Sequence, residues 1–131
     1  MASYRLTALV ILVVALLCVT PALSVQQVTD LDEFNNMLKS NDKVIVFYSS
    51  SESPFKSKIA LPAFEKNAQE YAGKIVSIQV DVAVALGIAN DKKVRIAPIF
   101  RIYRKGEQRG GLIDFTVTGL NQLYAKFAVA K

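Results

Sequence analysis

Several side chains that carry protein chemistry are missing or scarce in this chain of 131 residues. Histidine is absent, so a Ser-His-Asp triad has no base and a serine hydrolase of that kind is excluded. Cysteine occurs once, as Cys18, and one thiol cannot be both the attacking and the resolving sulfur of dithiol exchange. No Asn-x-Ser/Thr site is present. We therefore predict no catalytic residue, no metal and no cofactor, and a protein that is not an enzyme.

The first residues have the composition of a secretory signal peptide. Arg5 precedes an unbroken apolar run from Ala8 to Val19, and the segment ends in small residues at Ala22 and Ser24. The run is shorter than the roughly 20 residues of a membrane-spanning helix. We predict a signal peptide over residues 1–24. Cleavage after Ala22 and an uncleaved N-terminal anchor are the alternatives.

The remaining residues, 25–131, are predicted to form one domain. About a hundred residues bury roughly two-thirds of the surface of the unfolded chain, so a core can stand without disulfides. The C-terminal sequence Phe-Ala-Val-Ala-Lys is not a KDEL-type retention signal. We therefore expect a secreted protein, with the lumen of the endoplasmic reticulum as the alternative, and no membrane span after cleavage.

Hydrophobic periodicity alternates between that of strands and that of helices. Val44 to Tyr48 is apolar and rich in β-branched residues, as in a strand covered on both faces. Phe34 and Leu38 follow Thr29, the predicted N-cap, at helical spacing. The predicted elements are strand 25–28, helix 29–40, strand 44–48, a helix through 59–71, strand 75–82, helix 83–93, strand 98–103, strand 112–117 and a helix through 120–127. Helical crossovers require parallel strands and the closing hairpin adds an antiparallel pair, so we predict an α/β fold with a central mixed sheet and helices on both faces.

Three segments together resemble the thioredoxin superfamily, and in particular the thioredoxin-like domains of protein disulfide isomerases. They are V-T-D-L-D-E-F at 28–34, V-I-V-F-Y-S-S at 44–50 and V-R-I-A-P-I-F-R-I-Y-R-K-G-E at 94–107. The resemblance covers residues 25–131 and implies a thioredoxin-like fold. It also identifies Pro98 as the candidate cis-proline of that family.

The loop that follows Phe47-Tyr48 stands where the resembling family has its W-C-x-x-C-K motif, yet it contains no cysteine. Counting from Phe47-Tyr48 aligns the loop with the motif; if Pro62 is aligned with the family's helix proline instead, Pro54 and Ser57 take the cysteine positions. Val46 occupies the position of the family's buried acid. The motif positions in the first alignment, which we call the site loop, are Ser51, Glu52, Ser53, Pro54, Phe55 and Lys56. In either alignment the resemblance implies a thioredoxin-like protein without C-x-x-C and without redox activity.

The resemblance also implies a groove for a protein or extended peptide partner. In the family the residue before the cis-proline, here Ala97, presents its backbone to an extended segment. Ala97, Pro98 and Phe55 are the predicted partner-binding residues, with Phe55 widening the apolar surface. The alternatives are a solvated loop with an N-capping serine, and a Pro98 that serves only the fold. Neither the partner's identity nor the oligomeric state follows from the sequence.

A basic segment near the C-terminal third suggests a second class of function. Cations that share one face bind anionic polymers or membrane surfaces. No interleaved aromatic stacking motif accompanies them, so nucleic acid is not expected, and a solvated basic edge is the alternative. The predicted patch comprises Lys92, Lys93, Arg95, Arg101, Arg104, Lys105 and Arg109.

Overall fold

The structure, a computed structural model, describes residues 24–131. The predicted signal peptide lies outside the described residues, apart from Ser24, and remains a prediction. The strands are β1 (Val25–Gln27), β2 (Lys43–Ser49), β3 (Val76–Asp81), β4 (Ile99–Arg104) and β5 (Glu107–Leu112). The helices are α1 (Leu31–Ser40), α2 (Pro54–Glu70), α3 (Leu86–Asp91) and α4 (Val117–Val129).

The strands form one mixed sheet in the order β1-β3-β2-β4-β5. β3 runs parallel to both β1 and β2, because helices carry the chain across between these strands. β4 runs antiparallel to β2 and to β5. The predicted mixed-sheet α/β fold is confirmed, with β2 at the centre of the sheet.

Alternate residues of β2 supply two hydrophobic cores, one on each face of the sheet. Val44, Val46 and Tyr48 pack on one face with residues of α1 and α3. Ile45 and Phe47 pack on the other face with residues of α2 and α4. All five side chains are fully buried, as expected for a central strand covered on both faces.

The helix termini differ in detail from the sequence prediction. The predicted N-cap Thr29 is wrong: the cap of α1 is Asp30, whose Oδ2 accepts a hydrogen bond of 3.0 Å from the Glu33 N–H. α4 begins at Val117, earlier than predicted, because Thr116 Oγ1 accepts a hydrogen bond of 2.9 Å from the Gly119 N–H. Both helices therefore begin at an oxygen-bearing cap residue.

The last strand was misplaced by the sequence pattern. The predicted strand 112–117 is wrong, and β5 runs from Glu107 to Leu112. Lys105 and Gly106 both have positive φ, so the chain reverses in two residues and pairing resumes at Glu107. The strand was hidden because Gly110 and Gly111 give it low β propensity.

Candidate functional site

The site loop joins the carboxyl end of β2 to the start of α2. Pro54 occupies the first turn of α2, where a missing N–H leaves no helical hydrogen bond unmade. Ser57, one turn into the helix, is buried, and its Oγ accepts a hydrogen bond of 3.2 Å from the Ser50 N–H. Ser53 is the N-cap residue but makes no side-chain capping bond. The Ser57 side chain thus ties the first turn of α2 to the residue that follows β2, and Ser53 does not act as a side-chain cap.

Asp81, at the end of β3, anchors the other side of the loop. Its Oδ1 accepts hydrogen bonds from the Ser51 N–H at 3.1 Å and from the Ala83 N–H at 3.0 Å. Partial burial opposes ionisation of this carboxyl, but the hydrogen bonds from Ser51 and Ala83 outweigh it and lower the pKa of Asp81. Asp81 was not among the predicted site residues. Its position next to the β2 terminus could have identified it, since parallel strands end at the same edge of a sheet.

The β2 position that the resemblance aligns with a buried acid is occupied by valine. Val46 is fully buried and lies between Ile78 of β3 and Arg101 of β4 in the strand ladder. The next inward residue on this face, Tyr48, is also buried, and its hydroxyl lies 2.7 Å from that of Tyr103. Burial raises the pKa of Tyr48, so its phenol stays protonated. The buried side chains behind the loop are therefore uncharged, and the cation that borders them is the half-buried Arg101.

A groove of about 400 Å³ runs beside the loop and contains Pro98. The peptide bond between Ala97 and Pro98 is cis. We call this the Pro98 groove. Its lining residues are Lys56, Ile59, Ile96, Ala97, Pro98, Ile113, Asp114 and Phe115. The groove thus has apolar walls with one cation and one carboxylate.

Three isoleucines on the groove wall are unusually exposed. The exposed fraction is 54% for Ile59, 66% for Ile96 and 70% for Ile113. Large apolar side chains that cluster on a surface mark interaction sites more often than isolated ones do. None of the three was predicted as a site residue. Ile59 and Ile113 lie outside the quoted family segments, and Ile96, although it precedes Ala97 in one of them, has no polar or reactive group to single it out.

Phe55 lies beside the Pro98 groove rather than in its wall. Its side chain is 76% exposed, and it is not one of the lining residues. Ile59, four residues further along α2, takes the place in the wall that was expected of Phe55. Side chains four residues apart share one side of a helix, so Phe55 extends the apolar surface outward from the groove.

The predicted basic patch is divided between two regions. Arg101 shares a face of the sheet with Tyr103, whereas Arg104, the next residue, belongs to the opposite face. Lys93, Arg95 and Arg101 border one groove, and Arg104, Lys105 and Arg109 border another near the C-terminus. The structure therefore does not bring the predicted cations together on one face.

Several of these cations are already engaged. Arg101 donates from Nη1 to the Lys92 carbonyl at 2.6 Å and from Nη2 to the Lys93 carbonyl at 3.4 Å, and its guanidinium lies 5.5 Å from the Tyr48 ring centroid. Lys92 Nζ lies 3.1 Å from Asp91 Oδ2 and donates to Asn35 Oδ1 at 2.7 Å.

The cations near the C-terminus also have partners. Arg104 Nε lies 3.6 Å from Asp42 Oδ1, and Arg104 Nη1 donates to the Lys131 carbonyl. Arg109 Nη2 lies 3.0 Å from Glu107 Oε2. These contacts leave Lys93, Arg95 and Lys105 as the most open cations of the set.

Within residues 24–131, no group of three or more His, Cys, Asp or Glu side chains is arranged to hold a metal ion. In the same part of the chain, none of the helices combines the length and apolarity needed to span a bilayer.

Comparison with known proteins places this geometry in a family. The family model described as thioredoxin matches residues 24–124. A thioredoxin of Coprinus comatus is 34% identical over 104 residues, covering 78% of this chain and 96% of that protein. Mitochondrial thioredoxin-3 of Saccharomyces cerevisiae is 30% identical over 100 residues, or 76% of each chain.

A solved structure agrees with these sequence matches. The oxidised thioredoxin from Plasmodium falciparum superposes with a TM-score of 0.72 at 28% identity, covering 80% of this chain and 99% of that one. The relatives named here are thioredoxins, so the likeness to protein disulfide isomerase domains remains a prediction. The extent of the family match and the shared fold lead to one conclusion: this chain belongs to the thioredoxin family.

Proposed function

We propose that this protein is a binding member of the thioredoxin family that performs no dithiol exchange. Its ligand is an extended polypeptide or protein segment held in the Pro98 groove. Residues 1–24 direct the chain into the secretory pathway as a signal peptide, and the protein is secreted. Residence in the endoplasmic reticulum is the alternative, and it would require a binding partner that retains the protein there.

The exposed isoleucines of the Pro98 groove carry this proposal. Ile59, Ile96 and Ile113 surround Pro98 and Ala97 with apolar surface that packs against neither core. An extended peptide fits such a groove because its backbone pairs with backbone and its alternate side chains enter apolar pockets. Full burial of one exposed isoleucine side chain contributes roughly 1.5 to 3 kcal/mol. The apolar wall therefore contributes substantially to the free energy of binding.

The absence of thiols supports the other half of the proposal. Cys18 is the only cysteine, and it belongs to the predicted signal peptide. At both candidate alignments of the site loop, hydroxyl, carboxylate or carbon stands where sulfur is required, and none of these can form a mixed disulfide. Val46 also supports the proposed lack of redox activity, because a buried valine cannot relay a proton.

An anionic polymer or membrane surface is less well supported as the ligand. Such ligands are attracted by cations that share one face, and the basic residues here lie in two groups with several of them paired. We therefore propose the Pro98 groove, and not the basic segment, as the primary binding site.

Peptide binding and redox turnover test the two halves separately. The probe is a fluorescein-labelled peptide of alternating threonine and valine, titrated with the protein and followed by anisotropy. Ile59→Ser should weaken binding by about tenfold, because it removes apolar surface from the groove wall. In an insulin reduction assay with dithiothreitol, the wild-type protein should not exceed the rate without protein.

The matched control is Val129→Ser. Val129 is also exposed and apolar, but it lies at the far end of α4 and lines no part of the groove. It should leave peptide affinity unchanged. Equal losses in the two variants would remove the Pro98 groove from the proposal, and insulin reduction above background would refute the redox half.

A further inference from the structure

A second groove, of about 370 Å³, runs along β5 next to the Pro98 groove. We call it the β5 groove. Its lining residues are Lys93, Arg95, Ile96, Ile99, Phe100, Arg101, Gln108, Gly110, Gly111, Leu112 and Ile113. It therefore combines an apolar floor with basic side chains and the backbone of an edge strand.

The two grooves adjoin each other. Ile96 and Ile113 line both of them, and each side chain is largely exposed. A ligand that contacts these isoleucines from the Pro98 groove is consequently at the entrance of the β5 groove. One extended chain can follow both.

The charge of the two grooves differs. The Pro98 groove has one cation and one acid in its wall, Lys56 and Asp114. The β5 groove has Lys93, Arg95 and Arg101 in its wall and no acidic lining residue within the described part of the chain. Arg101 is fixed by the Lys92 and Lys93 carbonyls and keeps its positive charge there. A ligand with negative charge at this end is electrostatically complementary.

The edge strand offers its backbone to the same ligand. Among the strands of residues 24–131, β5 pairs only with β4, so its outer side faces solvent. Gly110 and Gly111 leave β5 without side-chain cover at these two positions, so a chain lying against the strand can approach its backbone closely. A side chain at Gly111 is also excluded by the fold, because its Cβ would lie 2.2 Å from the Phe100 carbonyl oxygen. The chain therefore presents a bare length of backbone beside the cations.

We propose that the polypeptide bound in the Pro98 groove continues past Ile96 and Ile113 into the β5 groove, and that its segment there is extended and acidic. Its backbone lies along β5, and its carboxylates lie near Arg95 and Lys93. The inference rests on the proposed function and adds to it the chemical class of the partner: an apolar segment adjoining an acidic one.

Labelled peptides with one common core test this. The core is the alternating threonine and valine sequence, extended at either end by a short run of glutamate, serine or lysine, since chain direction is not assumed. With wild-type protein at low salt, a glutamate peptide should bind roughly fivefold more tightly than its serine counterpart, and the lysine peptide more weakly. Moderate salt should reduce the difference.

Two charge variants locate the preference. Arg95→Glu places an acid at the β5 groove and should abolish or reverse the preference for glutamate. Lys126→Glu changes the net charge equally on the exposed side of α4, away from both grooves, and should preserve it. Circular dichroism of each variant checks that the fold is intact.

The outcomes separate this inference from the proposed function. If the serine peptide binds and Ile59→Ser weakens it, but glutamate brings no gain, the β5 groove is not used and the proposed function stands. If the glutamate preference survives Arg95→Glu, the acidic segment lies elsewhere and the inference is wrong. If no peptide of the set binds the wild-type protein, both proposals fail.

Discussion

β2 and the groove beside its carboxyl end contain similar side chains in opposite surroundings. Val46 and Phe47 are fully buried, whereas Ile59 and Ile113 are more than half exposed. Buried residues of this kind stabilise the fold through the area that they remove from water. The exposed isoleucines contribute far less to stability, which is why we attribute them to binding. The buried side chains stabilise the fold, and the exposed ones are those that we propose contact a partner.

The largest effect should come from placing an acid in the buried region. Val46→Asp puts a carboxylate into the core opposite Arg101, whose guanidinium already donates to the Lys92 and Lys93 carbonyls. The new charge therefore lacks a free partner, and we expect the free energy of unfolding to fall by about 3 to 5 kcal/mol at neutral pH. Burial raises the pKa of such a carboxyl, so the loss should shrink as pH falls and the group is protonated. Urea unfolding at neutral and acid pH measures both effects.

Val46→Ala is the matched control for that experiment, since it removes apolar volume without adding charge. Its loss should be smaller and nearly independent of pH. An aspartate variant as stable as the alanine variant would contradict the expectation that the new charge lacks a free partner in this core.

The buried region is also the part that the sequence predicts best. The apolar run of β2 and the spacing of Phe34 and Leu38 follow directly from the side-chain periods of strands and helices. β5 was misplaced because its glycines carry no periodic signal, and the cap of α1 was assigned one residue early. Local sequence patterns therefore identify the core elements. They are less accurate where backbone geometry determines the position of a turn, a cap or a glycine-containing strand.

The candidate site is less visible in sequence. The resemblance to the thioredoxin superfamily led to Pro98 and the site loop, but not to Ile96, Ile113 or Asp81. Ile113 reaches the groove, and Asp81 reaches the site loop, from segments far from Pro98 and from the loop in the chain, so only the folded structure shows these contacts. The predicted basic patch was divided for a different reason: side chains of a strand alternate between the two faces of the sheet, so Arg101 and Arg104 lie on opposite faces.

A moderate effect is expected at the anchor of the site loop. Asp81→Asn keeps an oxygen acceptor but removes its charge, so unfolding free energy should fall by less than about 1 kcal/mol at neutral pH. The Asp81 pKa is lowered from its ordinary value of 3.8 in the folded protein. Its contribution is therefore full above that pH and is lost as pH falls through the lower folded value.

Urea midpoints of wild type and Asp81→Asn, measured at neutral pH and near pH 2, check this prediction. The difference between the two proteins should be present at neutral pH and smaller in acid. A constant difference would show that the Asp81 charge does not stabilise the loop.

The smallest effect on stability should come from Phe55→Ser. Phe55 is exposed and outside both cores, so the free energy of unfolding should change by no more than about 0.5 kcal/mol. The melting temperature should therefore stay nearly the same. Peptide affinity should fall, but by less than in Ile59→Ser, because Phe55 borders the Pro98 groove without lining it. Thermal melts and peptide anisotropy measure the two quantities. A larger affinity loss at Phe55 than at Ile59 would move the binding surface outward onto the site loop.

The most direct test of peptide binding at the Pro98 groove is an amide NMR titration of the protein with the threonine and valine peptide. We expect the largest chemical-shift changes at Ile59, Ala97 and Ile113, and no change at Arg104 and Lys105. Changes that cluster at Arg104 and Lys105, or no change at a saturating concentration of peptide, would contradict this expectation.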